Sequence, residues 1–419
     1  MAWKKLFQGD RTLWVIFFFF VVISLVEVYS ASSTLAYQGR MMSPILKHTA
    51  FIVMSIVTVV VVSRFNSGTL KFMGGGLYIL SFILLIIAFF NGTSINGASR
   101  WIPLPFGLTF QPSELMKIAL VMVAAIIYTL LGHLSAKKRF IWFSILVAIP
   151  ILIIAKDNLS TAILIAVFFF FISWIGGAPG KNLFWLLIAG LFFVILAYIL
   201  LLTLPPQTLS KLSNRAPTWK NRVVSDPALK DLSPEQRDSM MYVITDDNFQ
   251  ESHAKIAIAR GGLFGVMPGN SIERDILPQA FSDYIYAIII EEMGFIVGGI
   301  LIPLAYFVLF FRLAQLAQRT ASRFEGMLLM GFGLLYLLQA MFNFIVASGF
   351  IVTGQTLPLI SKGGTSYLIT SLAFGIMMSI SRRIALNKEN GEETAEVMTI
   401  ESEVSDNDEL QEIIYWTHE

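Results

Sequence analysis

Long runs of apolar residues, separated by short polar segments, dominate this chain of 419 residues. A helix crosses the hydrocarbon core of a bilayer with about 20 residues, and it satisfies its own backbone hydrogen bonds in doing so. We therefore predict an all-α polytopic membrane protein with ten transmembrane helices. The predicted spans are residues 12–30, 47–64, 72–91, 114–132, 139–155, 159–175, 183–203, 283–311, 326–348 and 365–381.

The composition supports a membrane protein and excludes several other classes. Hydrophobic residues make up 56% and charged residues only 14% of the chain, whereas soluble domains have about 25% charged residues. Disulfides and thiolate chemistry are excluded because there is no cysteine. The four histidines are scattered, so we expect no histidine-based metal site. The net charge of +2 gives no indication of a nucleic acid partner, and the expected surroundings are membrane lipids.

Loop charge predicts the orientation. With the N-terminus inside, the inner loops carry fifteen Lys and Arg residues and the short outer loops with adjoining span ends carry six, a clear positive-inside bias. Both termini are then cytoplasmic, and the long segment 204–282, between spans 7 and 8, is an extracytoplasmic loop of short helices and irregular structure. Residues 1–386 form the membrane domain. Residues 387–419 are acidic, and we expect a disordered cytoplasmic tail there.

The eighth predicted span contains the most unusual charges. It begins at Asp283 and carries Glu291 and Glu292. Eight helical residues rise about 12 Å, so a straight span places Glu291 well inside the hydrocarbon, at a cost of roughly 2.5–3.5 kcal/mol. Such acids usually face a bundle interior or a water-filled cavity, which predicts a functional site. For Asp283 alone, a helix N-cap worth about 1 kcal/mol is the alternative.

The loop before the fourth span is a second candidate. Ser113 is expected to cap this span, and Glu114 and Lys117 then lie on one helical face, three residues apart. One interpretation is an interfacial anchor with a surface ion pair. The other is a polar pocket, including Gln111, in which Arg100 and Lys117 supply positive charge to an anionic ligand.

A third candidate precedes the last span, where Ser361, Lys362, Gly363 and Gly364 lead into Thr and Ser. Free backbone N–H groups at a helix start favour an anion, although a plain capped loop gives the same pattern. Together the three candidates predict an outward-facing pocket for a lipid-linked phosphosugar, with an apolar bundle beside it for the lipid. Its predicted charged groups are Arg100, Lys117, Lys362, Lys255, Arg260, Arg274, Asp283, Glu114 and Glu291.

These stretches resemble the SEDS family of shape, elongation, division and sporulation proteins, over roughly residues 10–385. The resemblance implies a peptidoglycan glycosyltransferase that polymerises lipid II at the outer face of the bacterial cytoplasmic membrane, working with a class B penicillin-binding protein. Division-type members are more similar than elongation-type members, which implies septal cell-wall synthesis. The matching stretches are 28–32, 97–102, 111–117, 261–262, 269–271, 277–278, Asp283, 291–294 and 354–366.

The resemblance also implies residue roles. The family's essential aspartate falls on Asp283, the proposed base for an inverting transfer, and its loop arginine falls on Arg100. Its Glu and Lys of the fourth span fall on Glu114 and Lys117. Arg100 and Lys117, with Lys362 or a divalent cation such as Mg²⁺ or Mn²⁺, then stabilise the leaving pyrophosphate. Lys362 itself departs from the family, which usually has Tyr there.

Two other classes of function stay open at the level of sequence. A ten-span bundle with buried acids also fits a flippase for lipid II, although a flippase needs polar groups reachable from both leaflets. A non-enzymatic scaffold of the division machinery is the third interpretation. In that case substitution of Asp283 leaves glycan synthesis intact.

Overall fold

The structure is a computed structural model. It describes residues 7–33, 42–95, 98–105, 108–205, 208, 244, 248–277, 280–349, 354–361 and 364–388, excluding the side chains of residues 31–33, 42–44, 93–95, 98–100 and 108. The acidic tail beyond Lys388, most of the loop 204–282, and Lys362 and Gly363 lie outside the described residues.

Helices account for most of the described chain, and the prediction of a multi-pass membrane protein is confirmed. Within the described residues, nine helices are long and apolar enough to cross a membrane, and α6 is a shorter apolar helix of 17 residues. The count of ten spans stays a prediction. The helices are α1 Arg11–Ser33, α2 Met42–Val62, α3 Ser67–Asn91, α4 Pro112–Ala125, α5 Ala136–Ala155, α6 Leu159–Ile175, α7 Gly180–Thr203, α8 Phe249–Gly261, α9 Glu273–Ile276, α10 Ile285–Gly294, α11 Ile302–Arg319, α12 Arg323–Ala347 and α13 Gly364–Lys388, with π-helical turns at Ile126–Leu130 and Phe295–Leu301.

A small antiparallel sheet joins α3 to α4, where the sequence predicted only a loop. Its strands are β1 Thr93–Ile95, β2 Ala98–Leu104 and β3 Leu108–Phe110, in the order β1-β2-β3. Trp101 of β2 lies opposite Thr93, and Ile102 opposite Phe110. The sheet fixes the chain directly before α4, which carries Glu114 and Lys117.

Two helices form the centre of the bundle. Every residue of α4 is buried, and most of α12 is buried as well. They pack against each other, and α12 also packs along α11. By contrast, α7 is peripheral, with only Leu183 buried. Polar side chains on α4 and α12 therefore lie inside the protein and need partners there.

The eighth predicted span is not one straight helix. At Gly294, which ends α10, φ is +79°, outside the helical region. A Cβ on Gly298 would lie 2.7 Å from the side chain and 2.9 Å from the Cα of Ile290, whereas residues eight apart in a straight helix are separated by about 12 Å. The chain therefore folds back at Gly294, and α10 and the following π-helical turn pack against each other.

A second hydrophobic core lies along one side of α10. Residues of α10 cluster there with Ala254 and Ala257 of α8 and with Val346 and Ala347 at the end of α12. Ile285 and Ile289 of α10 belong instead to the main core of the bundle. The helix α10 thus packs between the main core and the α8 segment, next to the end of α12.

Backbone hydrogen bonds lock α8 to the reversal. The N–H groups of Val266 and Met267 donate to the carbonyls of Glu291 and Glu292, at 2.9 Å each. In return, the N–H of Phe295 donates to the Gly262 carbonyl at 2.9 Å. The turn after α8 therefore supplies the partners that the broken helix has lost.

Three glycines allow this close approach. A Cβ on Gly261, Gly265 or Gly294 would fall onto backbone atoms of the opposite segment, nearer than real Cβ contacts allow. Gly265 and Gly294 also have positive φ, which side chains disfavour. Two backbones meet here without intervening side chains.

Ion pairs join the opposite end of the bundle. Arg312 of α11 donates to the Asp10 carboxylate, with a Nε–Oδ2 distance of 3.0 Å, and Ser381 of α13 accepts from the Asp10 N–H at 2.6 Å. Burial opposes ionisation of Asp10, but hydrogen bonds from Arg312, Leu13 and Thr12 outweigh it and hold its pKa below the usual range.

Candidate functional site

Asp283 lies at the entrance to α10 and is partly exposed. Its Oδ1 accepts a hydrogen bond from the Ser282 hydroxyl at 3.0 Å. It is not the cap of α10, because the N-cap position is Tyr284 and no side chain caps this helix. A Cβ on Gly354 would lie 2.7 Å from Oδ2, so the glycine leaves room for the carboxylate. The capping alternative therefore does not account for Asp283.

The backbone around Asp283 is held from two sides. The amide of Asn343, on α12, donates to the Asp283 carbonyl at 3.0 Å and to the Gln355 carbonyl at 2.6 Å. The Ser361 hydroxyl donates to the Ser282 carbonyl at 2.9 Å and accepts from the Leu357 N–H at 2.7 Å. The loop 354–361 and the segment that carries Asp283 are thus joined by hydrogen bonds.

Glu114 and Lys117 form an ion pair inside the protein. Lys117 Nζ lies 2.9 Å from Glu114 Oε1 and 3.0 Å from Gln339 Oε1. The side chains of Lys117 and Glu114 are only 2% and 8% exposed, so the alternative of a surface ion pair is wrong. Gln339 in turn donates to the carbonyl of Thr356 at 3.0 Å. Lys117 is therefore linked to the same loop that holds Asp283.

Ser113 does not cap α4. The helix begins one residue earlier, at Pro112, and its N-cap residue is Gln111. Proline is favoured at the first helical position because its missing N–H is not needed there. Gln111 and Ser113 are both buried, and the Gln111 amide donates to the Ser113 hydroxyl at 3.0 Å. They form a buried polar pair beside Glu114 in the sequence.

Gln355 connects the loop to α6. Its side-chain amide donates to the Thr161 hydroxyl at 2.8 Å, and the Thr161 N–H bonds to Asn158, which caps α6, at 3.2 Å. The loop therefore makes hydrogen bonds to α6, to α12 and to Ser282, which lies just before α10. Asn158 serves here as a capping residue.

Glu291 and Glu292 form a separate, buried ionic cluster, and both are fully buried. Glu291 accepts from the Ser271 hydroxyl, and Arg260 Nε lies 3.7 Å from its Oε1. Glu292 accepts from the Ser30 hydroxyl and pairs with Arg274 at 3.4 Å.

Two sequence expectations change with this cluster. Glu291 does not lie far down a straight span, because the chain reverses at Gly294. It is satisfied by Ser271 and the Ile272 N–H, so it supports the segment before Asp283 and does not line an open pocket. Arg260 and Arg274 pair with these glutamates.

Glu27 lies one turn before Ser30 on α1. It is fully buried, and neither of its carboxyl oxygens has a hydrogen-bond partner within the described part of the chain. Arg274 is the buried cation of the adjacent cluster, and it is already bound to Ser30 and Glu292. Among the described residues, Glu27 is thus a buried carboxyl without a hydrogen bond, near a cation that is already paired with Glu292.

The remaining predicted site residues are placed only in part. Arg100 lies in β2, next to Trp101, and its side chain is outside the described atoms. Lys362 and Gly363 are outside the described residues. Gly364 begins α13, where a Cβ would lie 2.8 Å from the Phe51 ring, so a side chain here would require that ring to move. The predicted helix start is confirmed.

Sequence reasoning missed Gln339 and Asn343. They lie four residues apart on α12, hence on one face, and each bridges two other parts of the site. Their signal was available: two amides inside an apolar span are costly unless they are hydrogen-bonded, and such residues mark functional positions.

The described residues do not fit a resident metal ion. No group of three His, Asp or Glu side chains is arranged to hold one in the part of the chain that the structure describes. Asp283 presents a single carboxylate beside a hydroxyl. We derive no step through a metal.

Comparison with known proteins decides the family. Residues 10–385 match the sequence profile of the FtsW, RodA and SpoVE family, described as cell cycle proteins. This chain belongs to that family. Membership agrees with the multi-pass fold and with the resemblance seen in the sequence.

Individual relatives agree with this assignment. The probable peptidoglycan glycosyltransferase FtsW of Haemophilus influenzae is 30% identical over 386 residues, which is 88% of this chain and 90% of the relative. The protein of the same name from Aeromonas salmonicida is 27% identical over 382 residues, 88% of this chain and 90% of the relative.

Solved structures share the fold. The crystal structure of the Thermus thermophilus rod shape determining protein RodA matches with a TM-score of 0.58 and 21% identity, over 89% of this chain and 97% of RodA. A chain of a peptidoglycan synthase complex, which coordinates polymerization and crosslinking, matches with a TM-score of 0.62 and 22% identity, over 90% of this chain and 98% of that one.

Proposed function

We propose that this protein is a peptidoglycan glycosyltransferase that polymerises lipid II into glycan strands at the outer face of the cytoplasmic membrane. The observation that carries the proposal is the setting of Asp283. Its carboxylate is partly exposed while its backbone is held by buried side chains of α12 and of the loop 354–361. A rigidly placed, accessible carboxylate suits a general base.

In the proposed reaction, Asp283 takes the proton of the GlcNAc 4-hydroxyl of one lipid II molecule. The hydroxyl oxygen then attacks C1 of MurNAc in the other molecule. The bond from C1 to the phosphate oxygen breaks, and undecaprenyl pyrophosphate leaves with the bonding electrons. One displacement inverts the configuration at C1, so the α-linked donor gives a β-linked glycan and a single base is sufficient.

Positive charge is needed where the pyrophosphate leaves. Arg100 and Lys362 are the proposed residues in contact with it. Lys117 is paired with Glu114 and bound to Gln339. Its charge therefore acts on the pyrophosphate without direct contact, or the ammonium leaves Glu114 when a phosphate competes for it. Gln111, Ser113 and Gly363 belong to the same proposed binding surface.

The proposed partner is a class B penicillin-binding protein, which crosslinks the new strands. Support comes from the fold, which is shared with a chain of a peptidoglycan synthase complex. The proposed place of action is the division septum, supported by the curated relatives that carry the name FtsW. The hydrocarbon chains of lipid II and of the membrane lipids surround the apolar helices.

The test is polymerisation of purified lipid II in proteoliposomes by wild type and Asp283→Asn. Each is measured with and without the cognate penicillin-binding protein, whose own glycosyltransferase activity must be excluded. We expect polymer from the wild type only, with folding and partner binding unchanged. Equal polymer from both clears Asp283 of catalysis. Transport of lipid II without any polymer from either indicates a flippase instead.

A further inference from the structure

We propose that Asn343 is a positioning residue for the transfer reaction and that Gln339, one turn earlier on α12, positions the anion-binding part of the site. The inference rests on the proposed function and assigns separate tasks to two side chains that do not themselves contact substrate. Asn343 acts through Asp283, and Gln339 acts through Lys117.

The first step is the geometry of Asn343. Its side chain is fully buried, and its amide nitrogen donates to two carbonyls from different segments, Asp283 at 3.0 Å and Gln355 at 2.6 Å. A carbonyl held in this way fixes the plane of the peptide that follows Asp283. The backbone from which the Asp283 carboxylate extends is therefore held in a fixed position relative to α12.

The second step is the geometry of Gln339. Its oxygen accepts from Lys117 at 3.0 Å, while its nitrogen donates to the Thr356 carbonyl at 3.0 Å and hydroxyl at 3.3 Å. The two amides thus bind adjacent residues, Gln355 and Thr356, of one loop. They hold this loop along α12 at two points, one turn apart.

The third step is the consequence for catalysis. Asp283 and Lys117 are positioned against the same loop by separate amides. Since a displacement of 1 Å can cost about 100-fold in rate, loss of Asn343 should affect turnover, whereas loss of Gln339 should affect binding.

The burial of the Asn343 amide indicates that this side chain does more than fill space. The Asn343 oxygen has no hydrogen-bond partner within the described residues, so only the two donor interactions of the side chain offset the cost of burying it. A leucine has a similar size and no polar atoms. Asn343→Leu would therefore remove the unsatisfied oxygen, and this gain would offset part of the stability that is lost with the two hydrogen bonds. An amide at position 343 therefore costs stability, and its role in placing Asp283 explains why an amide lies there.

The experiment compares Asn343→Leu, Gln339→Met and wild type in proteoliposomes with purified lipid II and the partner protein. Turnover is expressed per mole of bound lipid II, so that unfolded protein does not count. We expect Asn343→Leu to lose at least about tenfold in kcat with the Kd for lipid II within about threefold. Gln339→Met should show the opposite split, with a Kd raised about tenfold.

Tyr128→Phe is the matched control. It removes another buried hydrogen bond, to Ser173 at 2.9 Å, on the π-helical turn after α4 and away from the site. Its kcat and Kd should equal those of wild type. If Asn343→Leu does not fold, Asn343→Ser is the second variant: its hydroxyl is too short to bridge the two carbonyls, so it should show the same loss of kcat.

The inference is overturned if turnover per bound substrate stays within twofold of wild type in Asn343→Leu or Asn343→Ser. That result is distinguishable from failure of the proposed function. Asp283→Asn in the same assay reports on the base itself, and its full activity would reject the mechanism whatever the α12 variants do.

Discussion

Glu292 accepts a hydrogen bond from Ser30, although 262 positions separate them in the chain. Arg274 binds both residues, with its guanidinium 2.7 Å from the Ser30 hydroxyl and 3.4 Å from the Glu292 carboxylate. The cluster joins the first helix, the segment before Asp283 and the reversal at Gly294. The cluster therefore fixes the Arg274 end of the segment that leads to Asp283, the proposed base.

Arg274→Met should destabilise the protein by about 3–5 kcal/mol, because it leaves the buried Glu292 without its cation. The double variant Arg274→Met with Glu292→Met should recover most of this loss, since Glu292 is then no longer a buried carboxylate without its cation. Unfolding of the purified protein in detergent measures both. Equal stability of single and double variants would show that the pair is not energetically coupled.

Glu27→Gln should leave the protein as stable as wild type or more stable. The carboxyl is fully buried without a hydrogen-bond partner in the described residues, and a neutral amide of the same shape avoids the cost of burying a charge. Thermal unfolding in detergent is the measurement. A clear loss of stability would mean that the carboxylate has a partner that matters to folding.

Gly294→Ala should prevent the chain reversal. A Cβ there would strike the Leu263 carbonyl, and φ is +79°, so backbone strain alone costs about 1–3 kcal/mol. Gly190→Ala, in α7, is the control because nothing lies near its Cβ position; it should be neutral or stabilising by about 0.5–1 kcal/mol. Unfolding midpoints of the two variants should therefore move in opposite directions, or only the first should move.

Lys117→Gln should reduce polymerisation far more than Lys117→Arg if charge is what this residue contributes. Both changes disturb the contact with Gln339, but only the arginine still compensates Glu114. Rates with purified lipid II decide between these roles. Equal losses would reject the charge role and leave Lys117 as part of the framework around Gln339.

Asp10→Asn should lower stability in a pH-dependent way. Because the pKa of Asp10 is lowered in the folded state, its stabilising contribution is fully present above the unfolded pKa of about 3.9 and is lost as the pH falls through the lower folded value. The difference in melting temperature between wild type and Asp10→Asn should be constant from about pH 5 to 8 and shrink below about pH 4. A difference that grows on acidification would contradict the assignment.

Hydrophobic patterning predicted the helical membrane fold well, because run length alone decides whether a helix can cross a bilayer. It failed at α10, where a continuous apolar run hides a reversal that depends on one glycine and on the distant turn after α8. The ion pair of Glu114 and Lys117 followed from helical spacing. Its burial did not, because burial depends on α12 packing over α4.

Candidate site residues on loops are easier to pick out in the sequence than the side chains that support them. Asp283 and Ser361 stood out as polar groups beside apolar runs, and the structure links them through Ser282. Asn343 and Gln339 were hidden in α12, since a single sequence does not show which distant carbonyls an amide will meet. The pattern of apolar and polar residues in one sequence does not predict these long-range hydrogen bonds of the site.

The reversal at Gly294 also changes how the protein fits its bilayer. The apolar segment Ile285–Arg319 has 35 residues, about 52 Å if it were a straight helix, far more than a hydrocarbon core of about 30 Å. After the reversal, the span consists of the π-helical turn of 7 residues and the 18 residues of α11, which together make 25 residues and lie within the range of about 17–25 that crosses a bilayer. The reversal thereby removes the hydrophobic mismatch that a single helix of 35 residues would impose on its bilayer.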